Sequence, residues 1–219
     1  MTKNYYLFNQ APTDFDPVPM LLGSKSPGEC IRFDPSRPSI IHIVPRSGDA
    51  APQTVEVDAH FQFHIANAYE DEDSQQLHLD IARADTLVMG AASASERPIW
   101  EWIDYAREAP YTRLVRYTFA RTSPAAAPGV WTLQSKRALS SYCVEFPSVS
   151  PARSGARHRY IYAGMGCTRE HPAPPQGVVK VDVDSGAEDA WIGAAHEFMA
   201  SSPARRAVRA AAPRTTGTS

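Results

Sequence analysis

Long apolar runs are missing from this chain of 219 residues. Nothing approaches the roughly 18 consecutive apolar residues that mark a bilayer-spanning helix, so no transmembrane segment is assigned. Met1-Thr2-Lys3-Asn4-Tyr5-Tyr6 leads into no apolar stretch of signal-peptide length. Cysteine is scarce: Cys30, Cys143 and Cys167 are odd in number, widely spread and form no CxxC pair. That pattern excludes a disulfide framework or a zinc ribbon and fits free buried thiols in a reducing compartment. Positive charge is not in excess, with 22 Lys and Arg against 24 Asp and Glu. All the acidic residues precede Met199, whereas Arg205, Arg206, Arg209 and Arg214 follow it, so the body is more acidic than the net charge of -2 suggests. An acidic body offers no electrostatic footprint for DNA or RNA, and nucleic-acid binding is excluded.

Proline is plentiful, with 19 residues, and points to many connections. Read in order, the chain gives short strands and long loops. Asn4 to Phe8, Cys30 to Phe33, Ile40 to Val44, Gln53 to Val57 and Gln76 to Ala82 have strand character. So do Tyr111 to Arg121, Val130 to Leu133, Ser141 to Phe146, His158 to Ala163 and Val178 to Val183. Met20 to Gly23 starts a brief helical or extended piece, and Pro98 to Arg107 a short helix or irregular insertion. Many short strands with Pro and Gly turns and almost no helix indicate an all-β domain, either a sandwich or a propeller. No repeat is sharp enough to count blades.

One stretch stands out. From Val57 to Asp71 the residues alternate with period two, which predicts Phe61, Phe63, Ile65 and Tyr69 on a core face. His60, Gln62, His64, Ala66 and Ala68 fall on the other face, where two alanines leave room beside an imidazole. Four residues along a strand is about 13 Å, too far for His60 and His64 to share one ion. On spacing alone this is one candidate histidine, and a lone histidine is more often structural than a ligand.

Phe63-His64-Ile65-Ala66-Asn67-Ala68-Tyr69-Glu70 resembles the F-H-x-x-N-A/T-x-E signature of the carotenoid cleavage oxygenases. Further matches occur in family order. Thr2-x-Asn4-Tyr5 is similar to the end of H-D/S-F-x-x-T-x-N-Y. Cys30 to Pro35, Ile43 to Arg46 and Arg116-Tyr117 follow, then Glu145-Phe146-Pro147, Arg159 to Tyr162 and Gly177 to Asp182. The resemblance implies a seven-bladed β-propeller, incomplete in this chain, with four histidines meeting one non-haem Fe(2+) on its axis. It implies His64 as the third ligand and catalytic metal residue, and Glu145 as the carboxylate behind its ring. The bare alternative for Glu145 is a strand-end surface residue.

The implied activity is cleavage by dioxygen of a C=C bond in a carotenoid or apocarotenoid, an apolar polyene, to carbonyl products. Peripheral membrane contact of the complete enzyme is part of that expectation, with Trp100, Trp102, Tyr105 and Tyr111 as candidates for a lipid-facing or tunnel-mouth lobe, or for a small satellite core. The alternative is a catalytically inactive β-rich fragment or binding partner. The resemblance sets the other three histidine ligands outside the chain and leaves the compartment open between cytoplasm and plastid. It gives residues 1–198 as a partial propeller domain, and the alanine, arginine, proline and threonine composition of 199–219 reads as a disordered tail. Parts of Ile40 to Val44 and Leu77 to Ile81 that a closed ring covers are then expected to be exposed. Of the remaining histidines, His42 reads as a core or edge residue, and His60 as a neighbour of the His64 face, its functional alternative being a tunnel wall. His78 and His158 read as solvent-facing near strand ends, His171 as surface, and His196 as part of a family-like segment without a ligand role.

Overall fold

The structure is a computed structural model and describes residues 1–87, 110–122, 129–166, 168–170, 175–194 and 197. Trp100, Trp102, Tyr105, Cys167, His171, His196 and the 199–219 tail lie outside the described residues. Within them the architecture is all-β, as the strand and turn pattern predicts. A three-stranded antiparallel sheet is formed by β1 (Tyr5–Gln10), β4 (Ser39–Pro45) and β5 (Gln53–Val57), in the order β1-β4-β5. A small hairpin pairs β2 (Thr13–Phe15) with β3 (Ile31–Phe33), and between them lies one helical turn, α1 (Val18–Leu21). No described helix is long and apolar enough to cross a membrane.

The remaining strands make one antiparallel series in strict chain order: β6 (Phe61–Asp71), β7 (Gln76–Ala84), β8 (Thr112–Arg121), β9 (Trp131–Ser148), β10 (Tyr160–Met165), β11 (Gly177–Asp182) and β12 (Glu188–Ile192). Residues 131–148 contain no glycine and no proline before Pro147, so nothing interrupts the ladder, and the two short strands expected there are one strand of 18 residues. Its first part pairs with β8 from Trp131 to Ala138, and its last part pairs with β10 at Val144, Glu145 and Ser148. Two up-and-down meanders, β6 to β9 and β9 to β12, therefore share this strand, a blade-like arrangement of the propeller type.

Leu7, Ile41, Ile43, Val55 and Val57 from the three-stranded sheet pack on Leu77, Leu79, Ile81, Val115, Tyr117, Phe119 and Trp131. Ile41, Leu77 and Ile81 are completely buried, which corrects the expectation that these two strands expose apolar surface. The reason is local: the small sheet lies over one face of β7 and β8, and the chain supplies its own cover. A second core on the opposite side gathers Leu114, Leu139, Val144, Ile161, Val179 and Val181. Strands β7 and β8 are thus covered on both faces.

That second face of β7 is polar. His78 and Asp80 sit directly across from Thr118 and Arg116 of β8. Arg116 Nε and Nη2 each donate to Asp80 at 2.7 Å, and His158 Nε2 lies 3.0 Å from its Oδ2. His78 Nδ1 is 3.1 Å from the Thr118 hydroxyl, and its ring packs on Tyr69. His78 and His158 are 8% and 4% exposed, which corrects their assignment to solvent. They sit on a central strand and under the loop before β10, not at frayed ends.

Burial raises the energy of the Asp80 carboxylate, but Arg116 and His158 outweigh it and hold the carboxyl below its usual range. A depressed carboxyl pKa stabilises the fold above about pH 4 and loses that contribution as the pH falls through the folded value. Asp80→Ala is expected to destabilise the chain by about 3–5 kcal/mol at neutral pH, because it strands the Arg116 charge in the interior. Urea denaturation measures this, and a loss below about 1 kcal/mol would show that the cluster is not holding the sheet.

Candidate metal centre

His64 lies on β6, the outermost strand of the large sheet, opposite Ala82. The ladder slips between Gln62 and His64 and again between Ile65 and Asn67. Each bulge inserts an unpaired residue and resets which face the following side chains take. Strict alternation therefore fails here. Phe63 is 59% exposed and Ile65 is exposed too, so the expected core face of Phe61, Phe63 and Ile65 is corrected to a largely open apolar one. Beyond the second bulge Asn67, Ala68 and Tyr69 are all buried. Tyr69 alone of the four predicted core residues is fully inside.

On its own face the His64 ring meets Glu145 of β9. The two strands are not ladder neighbours, since β7 and β8 lie between them in the sheet. The side chains close the gap: His64 Nδ1 lies 2.7 Å from Glu145 Oε2. A carboxylate oxygen can only accept from a neutral imidazole, so Nδ1 carries the hydrogen and Nε2 keeps its lone pair. His64 Nε2 has no protein partner among the described residues, and its side chain is 43% exposed. Glu145 is only 19% exposed, so it is not the strand-end surface residue of the bare reading. Its Oε2 also accepts the Phe146 N–H at 2.9 Å, while Oε1 is buried with no partner.

The aim of Glu145 comes from an unusual backbone. Phe146 has φ +53°, a left-handed conformation that an aromatic residue adopts only under constraint. The β9–β10 register also shifts beside it, between Tyr162 and Gly164. Bulge and left-handed turn together swing Glu145 toward β6 and lay the Phe146 ring 4.9 Å from the imidazole. Nothing in the residue pattern signals this; only the signature Glu145-Phe146-Pro147 marks the place. The signature at the other end of β6 is also joined physically. Glu70 accepts hydrogen bonds from the Thr2 hydroxyl, the Asn4 backbone N–H and the Asn4 amide.

The neighbouring histidine is different. His60 is fully buried, stacks on Tyr117, and donates from Nδ1 to the Asp58 carbonyl at 2.9 Å. Its Nε2 has no partner. Around it Asp58 is clamped by Arg83 and Lys136, and the Tyr117 hydroxyl receives Arg83 Nη1 at 2.7 Å. Those two cations offset the burial of Asp58 and bring its carboxyl down to about 2. His42 pairs with Gln10 across β1 and β4. Cys30 and Cys143 are free and buried, as expected. Tyr111 donates to the Ser141 carbonyl at 3.2 Å. Among the described residues no group of three or more His, Cys, Asp or Glu side chains converges as a metal site.

Comparison with known proteins gives a consistent answer. Residues 1–206 match the retinal pigment epithelial membrane protein family. The apocarotenoid-15,15'-oxygenase of Synechocystis is 33% identical over 199 residues, 90% of this chain and 37% of that protein. A carotenoid 9,10(9',10')-cleavage dioxygenase of Pisum sativum is 28% identical over 202 residues, 88% of this chain and 32% of that one. A tryptophan-to-alanine mutant of the Synechocystis apocarotenoid oxygenase superposes with a TM-score of 0.75 at 32% identity. A cobalt-substituted form of the same oxygenase gives 0.75 at 31%, and each covers 90% of this chain and 38% of the solved one. The chain thus spans little more than a third of the length of these relatives.

Two measurements test the imidazole assignments. Burial, opposed by the Asp58 hydrogen bond and reinforced by Arg83, lowers the His60 pKa to about 4. The native state then refuses a proton that the unfolded chain takes up near pH 6.5, so stability falls as the pH drops from about 6.5 to 4, by on the order of 3 kcal/mol at most. His60→Phe keeps the stacking and should flatten that slope, leaving the smaller share due to His78, which burial also lowers. An unchanged slope would exclude His60 as its source. For His64, long-range proton–nitrogen spectra at neutral pH should show the Nδ1–H tautomer, and Glu145→Gln should shift it toward a mixture.

Proposed function

The chain belongs to the retinal pigment epithelial membrane protein family, and from that premise we propose that it is part of a carotenoid or apocarotenoid cleavage dioxygenase in which His64 is an iron ligand. The Fe(2+) of such an enzyme supplies the binding and activation of dioxygen needed to split a C=C bond into two carbonyls. The observation that carries this reading is the state of one ring. His64 Nδ1 lies 2.7 Å from Glu145, which in the neutral ring leaves Nε2 as the lone-pair nitrogen of a partly exposed side chain. A ligating imidazole needs this arrangement, because the carboxylate fixes the tautomer and raises the basicity of the far nitrogen.

The surroundings suit an apolar rod. Phe63 and Phe146 present exposed apolar surface beside the imidazole, and a conjugated polyene is held by area more than by polar contacts. Contact of the complete enzyme with a lipid surface belongs to the same proposal. Phe15, Val18, Leu21 and Leu22 around the single turn α1 are exposed, the two leucines at 77% each. That is a concentration of apolar side chains with no partner in the described chain. The domain assignment of residues 1–198 as part of the propeller belongs to the same proposal, and the family match itself runs on to residue 206. A second reading, a β-rich partner without turnover, draws on the single imidazole donor found among the described residues.

Cobalt(II) is a suitable probe, since a relative has been solved with cobalt substituted. With one imidazole donor the chain alone is expected to bind it weakly and to keep well under one iron per chain after dialysis. Paramagnetic shifts on titration should centre on the His64 ring. His64→Ala should abolish them, and Glu145→Gln should weaken binding by roughly 10–100-fold. In a protein of full family length, His64→Ala should abolish cleavage of an apocarotenal. Shifts centred on another histidine and indifferent to His64→Ala would overturn the ligand assignment.

A further inference from the structure

His64 and Glu145 sit on strands with no backbone ladder between them, so the 2.7 Å separation depends on whatever else ties β6 to the end of β9. One buried side chain reaches across from β6. Asn67, three residues after His64 and 6% exposed, turns its amide into the loop that follows β9. Its Nδ2 lies 3.1 Å from the Arg153 carbonyl, 3.0 Å from the Ala156 carbonyl and 3.0 Å from His158 Nδ1. Its Oδ1 accepts the Gly155 N–H at 2.9 Å. The loop is shaped to receive it: Gly155 takes φ +75°, and a Cβ there would come within 3.3 Å of the Met1 carbonyl. Below it, His158 Nε2 rests on Asp80, so the loop is also anchored to β7.

We propose that Asn67 is a positioning residue for the His64–Glu145 pair. Its amide clamps the loop leaving β9 onto β6, and so fixes the distance across which the carboxylate reaches the imidazole. Four partners on one amide make the position selective. Aspartate keeps the shape and Oδ1 but loses both donors and sets a charge against two carbonyls, whereas alanine loses the whole tie. The bulge between Ile65 and Asn67 has a role in this arrangement. It brings Asn67 to a buried, loop-facing position although His64, on the same strand, is half open. The geometric claim stands on these contacts alone; its consequence for metal affinity rests on the ligand reading of His64.

The test uses the whole chain and two readouts. In Asn67→Asp and Asn67→Ala the nitrogen spectrum of His64 should lose the Nδ1–H signature and move toward a tautomer mixture. Cobalt(II) affinity should fall about 10-fold. Ile161→Val, a comparable disturbance in the second core, should leave both unchanged. Because the Asn67 variants risk unfolding, Gly155→Ala provides a second route: it strains the loop from the far side without touching β6 and should shift the His64 signature in the same direction. A folded Asn67 variant, or Gly155→Ala, with the wild-type His64 spectrum would overturn the proposal. If the signature moves while cobalt binding is indifferent even to His64→Ala, the positioning role stands and the ligand reading fails.

Discussion

A carboxylate 1% exposed to solvent sets the terms for this structure. Asp80 cannot be ionised in the interior without compensation, since removing a charge from water costs several kcal/mol. The compensation comes from three directions: Arg116 across the ladder on β8, His158 from the loop before β10, and through His158 the Asn67 amide on β6. Each partner is satisfied only if its own element is in place. A misregistered β8 strands a guanidinium, and a displaced loop leaves both an imidazole and an amide unpaired. Two apolar cores supply the bulk of the driving force, but apolar contacts tolerate sliding. The buried charge does not, and it makes one register of β6, β7, β8 and the 150–158 loop preferable to its neighbours.

That division explains what was legible in the residues. Strand identity was, because period-two alternation and Pro/Gly punctuation are local properties, and Ile40 to Val44 and Gln76 to Ala82 formed where expected. The meeting of His64 with Glu145 was foreseen only through resemblance; 81 residues separate them, and no periodicity links two strands so far apart. Facing was the casualty. The bulge between Gln62 and His64 breaks the alternation that placed Phe63 and Ile65 inside, and a bulge has no dependable signature in one sequence. His78 and His158 depart from expectation for a different reason. A polar residue on a strand reads as outward until a specific buried partner is known, and theirs were Thr118 and Asp80. Ile41 and Leu77 were buried by a sheet-on-sheet contact within the chain, which composition cannot disclose.

Local strain clusters where the two key strands meet. Phe146 in a left-handed conformation costs of order 1 kcal/mol or more, and it directly follows Glu145. Such a residue persists only when its surroundings over-determine it. Here its N–H is taken by the Glu145 carboxylate and its ring by the His64 face. The kink therefore does two things with one distortion: it points the acid at the imidazole and builds an apolar wall beside the open nitrogen. Relaxing it to an ordinary extended residue would turn Glu145 out of line with β6.

The described histidines show how little the side chain itself decides. His158 receives from Asn67 at one nitrogen and sets the other 3.0 Å from an Asp80 oxygen, so it is a structural bracket. His60 has a free nitrogen, but it is sealed in the interior, and burial beside two cations keeps the ring neutral. His78 leans on a hydroxyl and an aromatic ring, and His42 on a surface amide. Among the described histidines, His64 alone combines a carboxylate on one nitrogen with a second nitrogen that has no protein partner and a partly exposed ring. A charged acceptor behind the ring strengthens the donor in front, and access lets that donor be used. Neither condition follows from the residue type or from its place in an alternating strand. Both follow from a bulge on β6 and a strained turn on β9, held to each other through an asparagine and a buried aspartate that never approach the open face.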